Sequence, residues 1–271
     1  MDNDDFRTVQ PVRPPAGYVG GKKQLAKRLI ADIEQTPHRL YAEPFVGMGG
    51  VFLRRRLAAP VEAINDASQD VASLFRILQR HYQAFMDMLK WQVTSRAEFE
   101  RLVAMEPASL TDLERAARFL YLQRLSFGGK VVGRSFGVDT TGSARFDVTK
   151  LASLLEAVHE RLSGVWIECL SWDAFIARWD RPTTLFFVDP PYVGTEHYYG
   201  RDMFLPADHA RLAAALKGIQ GRFILTLNDH PVVRDLYDWA EIRTEDLSYT
   251  AAGSQHAKPA RELVITGGTA L

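Results

Sequence analysis

The chain alternates between short, uniformly apolar runs and longer stretches in which apolar residues recur every three or four positions. The runs at 40–42, 61–65, 165–170, 184–188, 222–228 and 261–266 have the length of strands. A strand that is apolar at nearly every residue is one covered on both faces. In 22–35, Leu25, Leu29 and Ile33 repeat at helical spacing, and in 71–78 Val71, Leu74, Phe75 and Leu78 share one face. Thr149 stands where a helix carrying Leu151, Leu154, Leu155, Val158 and Leu162 needs a cap, with Gly164 to end it. Segment 206–217 reads the same way, with Leu212 and Leu216 inward and Gly218 beyond its end. Strands alternating with helices predict an α/β fold with a mostly parallel central sheet flanked by helices.

The interval 76–148 breaks that alternation. Helical runs at 76–90, 96–105 and 111–125 follow one another without a strand and give way to the Gly-rich "SFGGKVVGRSFGVDTTG". The pattern predicts an inserted, mostly helical subdomain ending in a β-hairpin or irregular loop. Its carrier is a domain formed from 17–75 and 149–271. Residues 1–16 are acidic and Pro-containing, have no signal-peptide core, and are expected to be a flexible lead-in.

Composition narrows the partners. With 271 residues, 46% hydrophobic and 24% charged, the chain suits one large soluble domain carrying an insertion. No apolar run approaches a membrane span, so the expected location is the cytoplasm, with no membrane partner. The 33 Lys and Arg balance the 33 Asp and Glu, so a nucleic-acid partner has to be met by a local basic face. One is available. Residues 115–134 hold Arg115, Arg118, Arg124, Lys130 and Arg134 without an acid, with Phe119, Tyr121 and Phe127 interleaved. A solvated face accounts for such a cluster, and so does a groove that meets phosphates and base edges. The single cysteine, Cys169, excludes an internal disulfide and a cysteine-cluster metal site, and reads as filler in an apolar strand.

Two stretches carry candidate chemistry. In "FFVDPPYVGTEHYY", residues 186–199, an apolar run stops at an acid and two prolines that cannot continue a central ladder. That predicts a stiff loop at a strand's carboxyl end, where open α/β sheets place ligands. In "EPFVGMGGVFL", residues 43–53, Gly47, Gly49 and Gly50 allow a tight turn and close approach by a ligand. The turn lacks the Lys-Ser/Thr of a P-loop, so phosphate binding is not its natural reading. Asp66, ending the next strand, suits ribose hydroxyls or, equally, an N-cap. Together they point to a nucleoside-containing cofactor without a phosphate signature.

Tyr18-Val19-Gly20-Gly21-Lys22, Glu43-Pro44-Phe45-Val46-Gly47-Met48-Gly49, Asn65-Asp66 and Asp189-Pro190-Pro191-Tyr192, in this order, resemble the motifs of Dam-type (D12 class) adenine-N6 DNA methyltransferases. The resemblance spans about residues 17–266, including "ARELVITGG". It implies a Rossmann-like methyltransferase fold that binds S-adenosylmethionine, releases S-adenosylhomocysteine and uses no metal. It makes residues 76–148 a DNA target-recognition subdomain. By that match Tyr18, Lys22, Phe45, Gly47, Gly49 and Asp66 bind the cofactor, and Asp173 holds its adenine amine. Asp189, Pro190 and Tyr192 are the catalytic set. Arg124, Phe127, Lys130, Arg134 and Tyr198 are candidates for contact with double-stranded DNA. "LYLQRLSFGGK" departs from the family's "LYLNRxxFNG" at Gln123 and Gly128, within the element that reads the target. The implied enzyme acts on a flipped adenine as a monomer or weak dimer. Its alternatives are amino-methylation of RNA or of cytosine N4, where serine more often replaces Asp189, and a non-catalytic DNA-binding protein of the same fold.

Overall fold

Leu185, Phe186, Phe187 and Val188 are all buried in the computed structural model, and their side chains divide between two cores. Leu185 and Phe187 enter one, Phe186 and Val188 the other, as the two-residue repeat of a strand requires. That division explains why the run carries no polar alternation. The structure describes residues 5–22, 24–138, 142, 144–200, 203–249 and 258–268.

The elements follow in the order β1 (Arg7–Thr8), α1 (Ala26–Gln35), β2 (Leu40–Glu43), β3 (Leu57–Ala58), β4 (Val61–Asn65), α2 (Gln69–Arg80), α3 (Tyr82–Leu89), α4 (Arg96–Ala104) and α5 (Asp112–Leu125). Then come α6 (Val148–Arg161), β5 (Trp166–Glu168), α7 (Trp172–Trp179), β6 (Thr184–Val188), α8 (Asp208–Lys217), β7 (Arg222–Asn228), α9 (Pro231–Leu236), β8 (Glu241–Tyr249) and β9 (Lys258–Gly268). The seven-stranded sheet has the order β5-β4-β2-β6-β7-β9-β8. Its pairs are parallel from β5 to β7, and β9 runs antiparallel to both β7 and β8. Strand order reverses between β2 and β6. The carboxyl ends of those two strands and of β4 therefore face one crevice, the place where such sheets bind ligands.

One core packs α1, α2 and α6 on the sheet, and the other packs α7, α8 and α9 on its opposite face. The first core runs on without a break into the helices of the 76–148 interval, through Phe85, Leu89, Phe99, Leu102, Phe119 and Tyr121. Helix α5 opens with a capping box between Thr111 and Glu114. Beyond α5 the chain turns back through an antiparallel bridge between Ser126 and Phe136.

The structure departs from the sequence pattern in several places. Helix α6 is capped by Asp147, whose carboxylate accepts from the Thr149 N–H at 3.1 Å and its hydroxyl at 2.6 Å. Thr149, expected as the cap, lies inside the helix. Residues 5–16, within the segment expected to be flexible, are fastened to the body. β1 pairs with β3, Val9 and Val12 donate to Arg56 and Leu53 carbonyls, and Val12 is buried. Strand β8 has no counterpart among the expected runs, because an edge strand carries charges such as Glu241, Arg243 and Glu245 that keep it from pairing further. Cys169 falls just past β5 and is only partly covered. Among the described residues, no helix is long and apolar enough to cross a membrane.

Candidate active site

The turn after β2 is built on two glycines with positive φ, Gly47 at 50° and Gly49 at 72°. A Cβ on Gly47 would lie 3.0 Å from the Tyr18 ring, and one on Gly49 2.8 Å from Leu53. The turn is thus packed from above and below, and only glycine fits. Asp66, just past β4, fastens it: one carboxylate oxygen accepts from Gly47 N at 3.0 Å and the other from Ser68 N at 2.9 Å. Enclosure pushes its carboxyl from an ordinary 3.8 up to about 6, against those two bonds. Asn65 ties the neighbouring strand ends together, donating to the Pro44 and Leu170 carbonyls and accepting from Leu170 N.

Asp189 leaves β6 at the other side of the crevice. The loop that follows is clamped to β7, with Val193 N donating to Asn228 Oδ1 at 3.0 Å and Asn228 Nδ2 donating to Val193 O at 3.2 Å. Asp189 Oδ1 receives Lys22 Nζ at 2.6 Å and the Thr226 hydroxyl at 2.9 Å. Those are the hydrogen bonds to its carboxylate among the described residues, so Oδ2 is the oxygen left for a ligand. Lys22 Nζ also donates to the Tyr192 hydroxyl at 2.6 Å and lies 3.0 Å from Glu262 Oε1. Burial favours loss of the Lys22 proton, but Asp189 and Glu262 outweigh it and hold the ammonium above its usual range. Burial raises the Asp189 carboxyl, with Lys22 and Thr226 opposing the shift. Glu43, capped by the Tyr41 hydroxyl at 2.8 Å, is pushed up to about 8 by burial.

One cavity of about 260 Å³ joins these groups, with Tyr18, Lys22, Phe45, Gly47, Asp66 and Asp189 all in its wall. Gly49 supports the turn from behind, and Tyr192 adjoins the cavity through Lys22. Pro190 is buried beside Asp189. Asp173 is not brought in. It lies in the first turn of α7, its side chain 44% exposed and paired with Arg211 of α8 at 2.9 Å. Phe204, which no sequence motif singles out, walls the cavity edge-on to Phe45 with ring centroids 5.8 Å apart.

Of the five candidates for DNA contact, Phe127, Lys130 and Tyr198 are exposed. Arg124 turns inward, its guanidinium donating to the Arg145 carbonyl at 2.7 Å and the Pro15 carbonyl at 2.8 Å. Arg134 is half-buried over the Phe119 ring. Gln123 donates to both the Gly17 and Gly129 carbonyls, at 2.9 and 2.6 Å. It thereby ties the end of α5 to the segment that leads into Tyr18.

Glu262, Thr226 and Asn228 were also missed. Each is a polar residue inside or ending an apolar strand, and that was the available signal: a buried polar group needs a partner.

A doubly wound sheet whose crevice joins a Gly-rich turn and a strand-end acid to an Asp-Pro-Pro-Tyr loop has the architecture of a Rossmann-like methyltransferase. The chain belongs to the D12 class N6 adenine-specific DNA methyltransferases, whose family profile matches residues 18–251. It is 23% identical to the type II methyltransferase M.CviBI of Paramecium bursaria Chlorella virus NC1A, over 84% of this chain and 87% of that one. It is 24% identical to the type II methyltransferase M1.LlaDCHI of Lactococcus lactis subsp. cremoris, over 94% and 95%. With the DNA adenine methylase of Haemophilus influenzae it shares 25% identity over 85% of each chain. The reaction is DNA adenine methylation.

Proposed function

We propose that the chain transfers a methyl group from S-adenosylmethionine to N6 of an adenine turned out of double-stranded DNA, and that the cavity holds both reactants. The residues present fit an adenosyl group. Asp66 accepts from ribose hydroxyls, the Gly47 turn gives close backbone approach, and Phe45 and Phe204 offer apolar faces for a base. When bound, the cofactor supplies the electrophilic methyl.

An exocyclic adenine amine is a poor nucleophile because its lone pair is delocalised into the ring. Acceptors aimed at its two hydrogens favour localisation of that pair as the nitrogen becomes tetrahedral. Asp189 Oδ2 takes one hydrogen, since Lys22 and Thr226 anchor the other oxygen and fix the carboxylate's orientation. The Pro190 carbonyl, in a loop stiffened by two prolines and clamped by Asn228, takes the second. Tyr192 gives a face on which the base stacks, its hydroxyl steadied by Lys22. Both acceptors strengthen as positive charge grows on nitrogen, so the gain is greatest in the transition state. Unstacking the base costs about a few kcal/mol, offset in part by contacts from Phe127, Lys130 and Tyr198.

The observation that carries this reading is the placement of Gly47, Asp66 and Asp189 in one cavity wall. The kinship to type II methyltransferases favours a restriction-linked setting, and we take the enzyme to act on DNA in the cytoplasm as a monomer or weak dimer. Asp189→Ala tests the mechanism. Binding of S-adenosylmethionine should persist in titration, while N6-methyladenine measured by nucleoside mass spectrometry falls by about a hundredfold or more. Undiminished transfer overturns the role of Asp189. Methyl groups found on cytosine or RNA instead redirect the substrate assignment.

A further inference from the structure

Glu262 has no task in the reading above. It sits on β9 opposite Asn228, is 2% exposed, and finds no hydrogen-bond donor besides Lys22 among the described residues. Its cationic partner among the described residues is Lys22 Nζ, 3.0 Å from Oε1. A carboxylate buried so poorly is costly, and an apolar residue of similar size commonly serves stability as well. Its presence calls for another reason.

Lys22 supplies one. Its ammonium lies against the same Asp189 carboxylate that has to attract positive charge. Lys22 and Asp189 alone sum to zero, so the pair attracts a cation, or positive charge growing on an amine, less than an uncompensated carboxylate would. Burial raises the Glu262 carboxyl and Lys22 opposes that shift; once ionised it brings the three groups to one negative charge, while Arg54 and Asp66, also in the wall, offset each other. Glu43 does not substitute, because with its carboxyl raised to about 8 it is mostly protonated near pH 7. We propose that Glu262 is a positioning residue that compensates Lys22, so that the Lys22–Asp189–Glu262 cluster presents net negative charge to a cationic ligand in the cavity. It acts through Lys22, since Glu262 is not in the cavity wall while Lys22 is. The inference rests on the S-adenosylmethionine reading and adds a charge requirement to it.

The test titrates the full chain and Glu262→Gln with S-adenosylmethionine and, separately, with S-adenosylhomocysteine, which lacks the charge on sulfur. The variant should weaken the charged ligand by about three- to tenfold and the neutral one by less than about twofold. A merely structural role lowers both alike, and an equal shift, or none, overturns the proposal. Glu262→Asp keeps the charge and should keep the wild-type affinity ratio even where both affinities drop. A ratio as low as that of the glutamine variant overturns the proposal as well. Should Glu262→Gln not fold, Glu262→Met takes its place with the same expected ratio. Failure of the unsubstituted chain to bind either ligand overturns the cofactor reading instead, and shows itself before any substitution is made.

Discussion

The crevice at the ends of β2, β4 and β6 and the basic stretch 115–134 each concentrate charged residues, yet they use them differently. In the crevice the charges surround open space: Lys22, Asp66 and Asp189 all line the cavity. In the basic stretch most of them are absorbed by the protein itself. Arg115 pairs with Asp70 at 2.5 Å, Arg118 donates to the Leu102 carbonyl at 2.7 Å, and Arg124 donates to the Arg145 and Pro15 carbonyls. Arginine suits this work because its fork stays charged while tying several acceptors at once. Clustered charge therefore marks a binding surface only where the polar atoms face outward, and in this stretch Lys130 does so most plainly.

The sharpest way to break that comparison is Arg118→Ala. Arg118 is 6% exposed, and its loss leaves the Leu102 and Val103 carbonyls without this donor and a void between α4 and α5. The expected cost is about 2–3 kcal/mol of stability, which for 271 residues is a fall in Tm of roughly 4–5 °C. Scanning calorimetry measures it. A variant with an unchanged Tm and weaker DNA binding would return Arg118 to the recognition surface.

A smaller effect is expected from pH at the crevice. The Asp66 carboxyl is raised by burial to about 6, so it takes up a proton as pH falls through that value. Ribose hydroxyls donate better to the ionised form, so cofactor affinity should fall by about tenfold between pH 7 and pH 5. The linkage to folding has the opposite sign. A carboxyl whose folded pKa is raised contributes most to stability while protonated, and that contribution is lost as pH rises from about 4 through about 6. Titration of the cofactor across this range, with Asp66→Asn as the pH-insensitive reference, decides it.

The same contrast explains what could be read from the chain. Asp189-Pro190-Pro191-Tyr192 and the Gly47 turn were legible because each needs a particular residue at a particular backbone position: proline to end a ladder, glycine where φ is 50°. Strands such as β6 were legible from burial on both faces. Lys22–Glu262 was not, since its partners are far apart in sequence and meet only once β9 inserts beside β7. The inward turn of Arg124 was equally hidden, because charge pattern says nothing of which carbonyls lie nearby. Asp173 shows the reverse failure. The spacing after β5 suited an adenine-binding acid, but the first turn of α7 aims it at Arg211.

Lys130 gives the smallest effect and the cleanest separation. Gly128 and Gly129 both adopt positive φ, 67° and 66°, and turn the chain sharply before it. A Cβ on Gly129 would lie 3.0 Å from Gly17 and Tyr18 backbone atoms, so this turn is pressed against the segment that lines the cavity. Lys130, the next residue, is exposed beside that wall, and the proposed reaction on an extruded base makes it a candidate for a flanking phosphate. Lys130→Ala should weaken DNA binding about equally for all sequences and reduce the slope of log affinity against log salt by about 1. Stability should change by no more than an ordinary surface substitution does, about 0.5 kcal/mol. Fluorescence anisotropy at several salt concentrations measures the slope. A loss confined to one target sequence would instead place Lys130 on a base edge, and an unchanged slope would remove it from the DNA surface altogether.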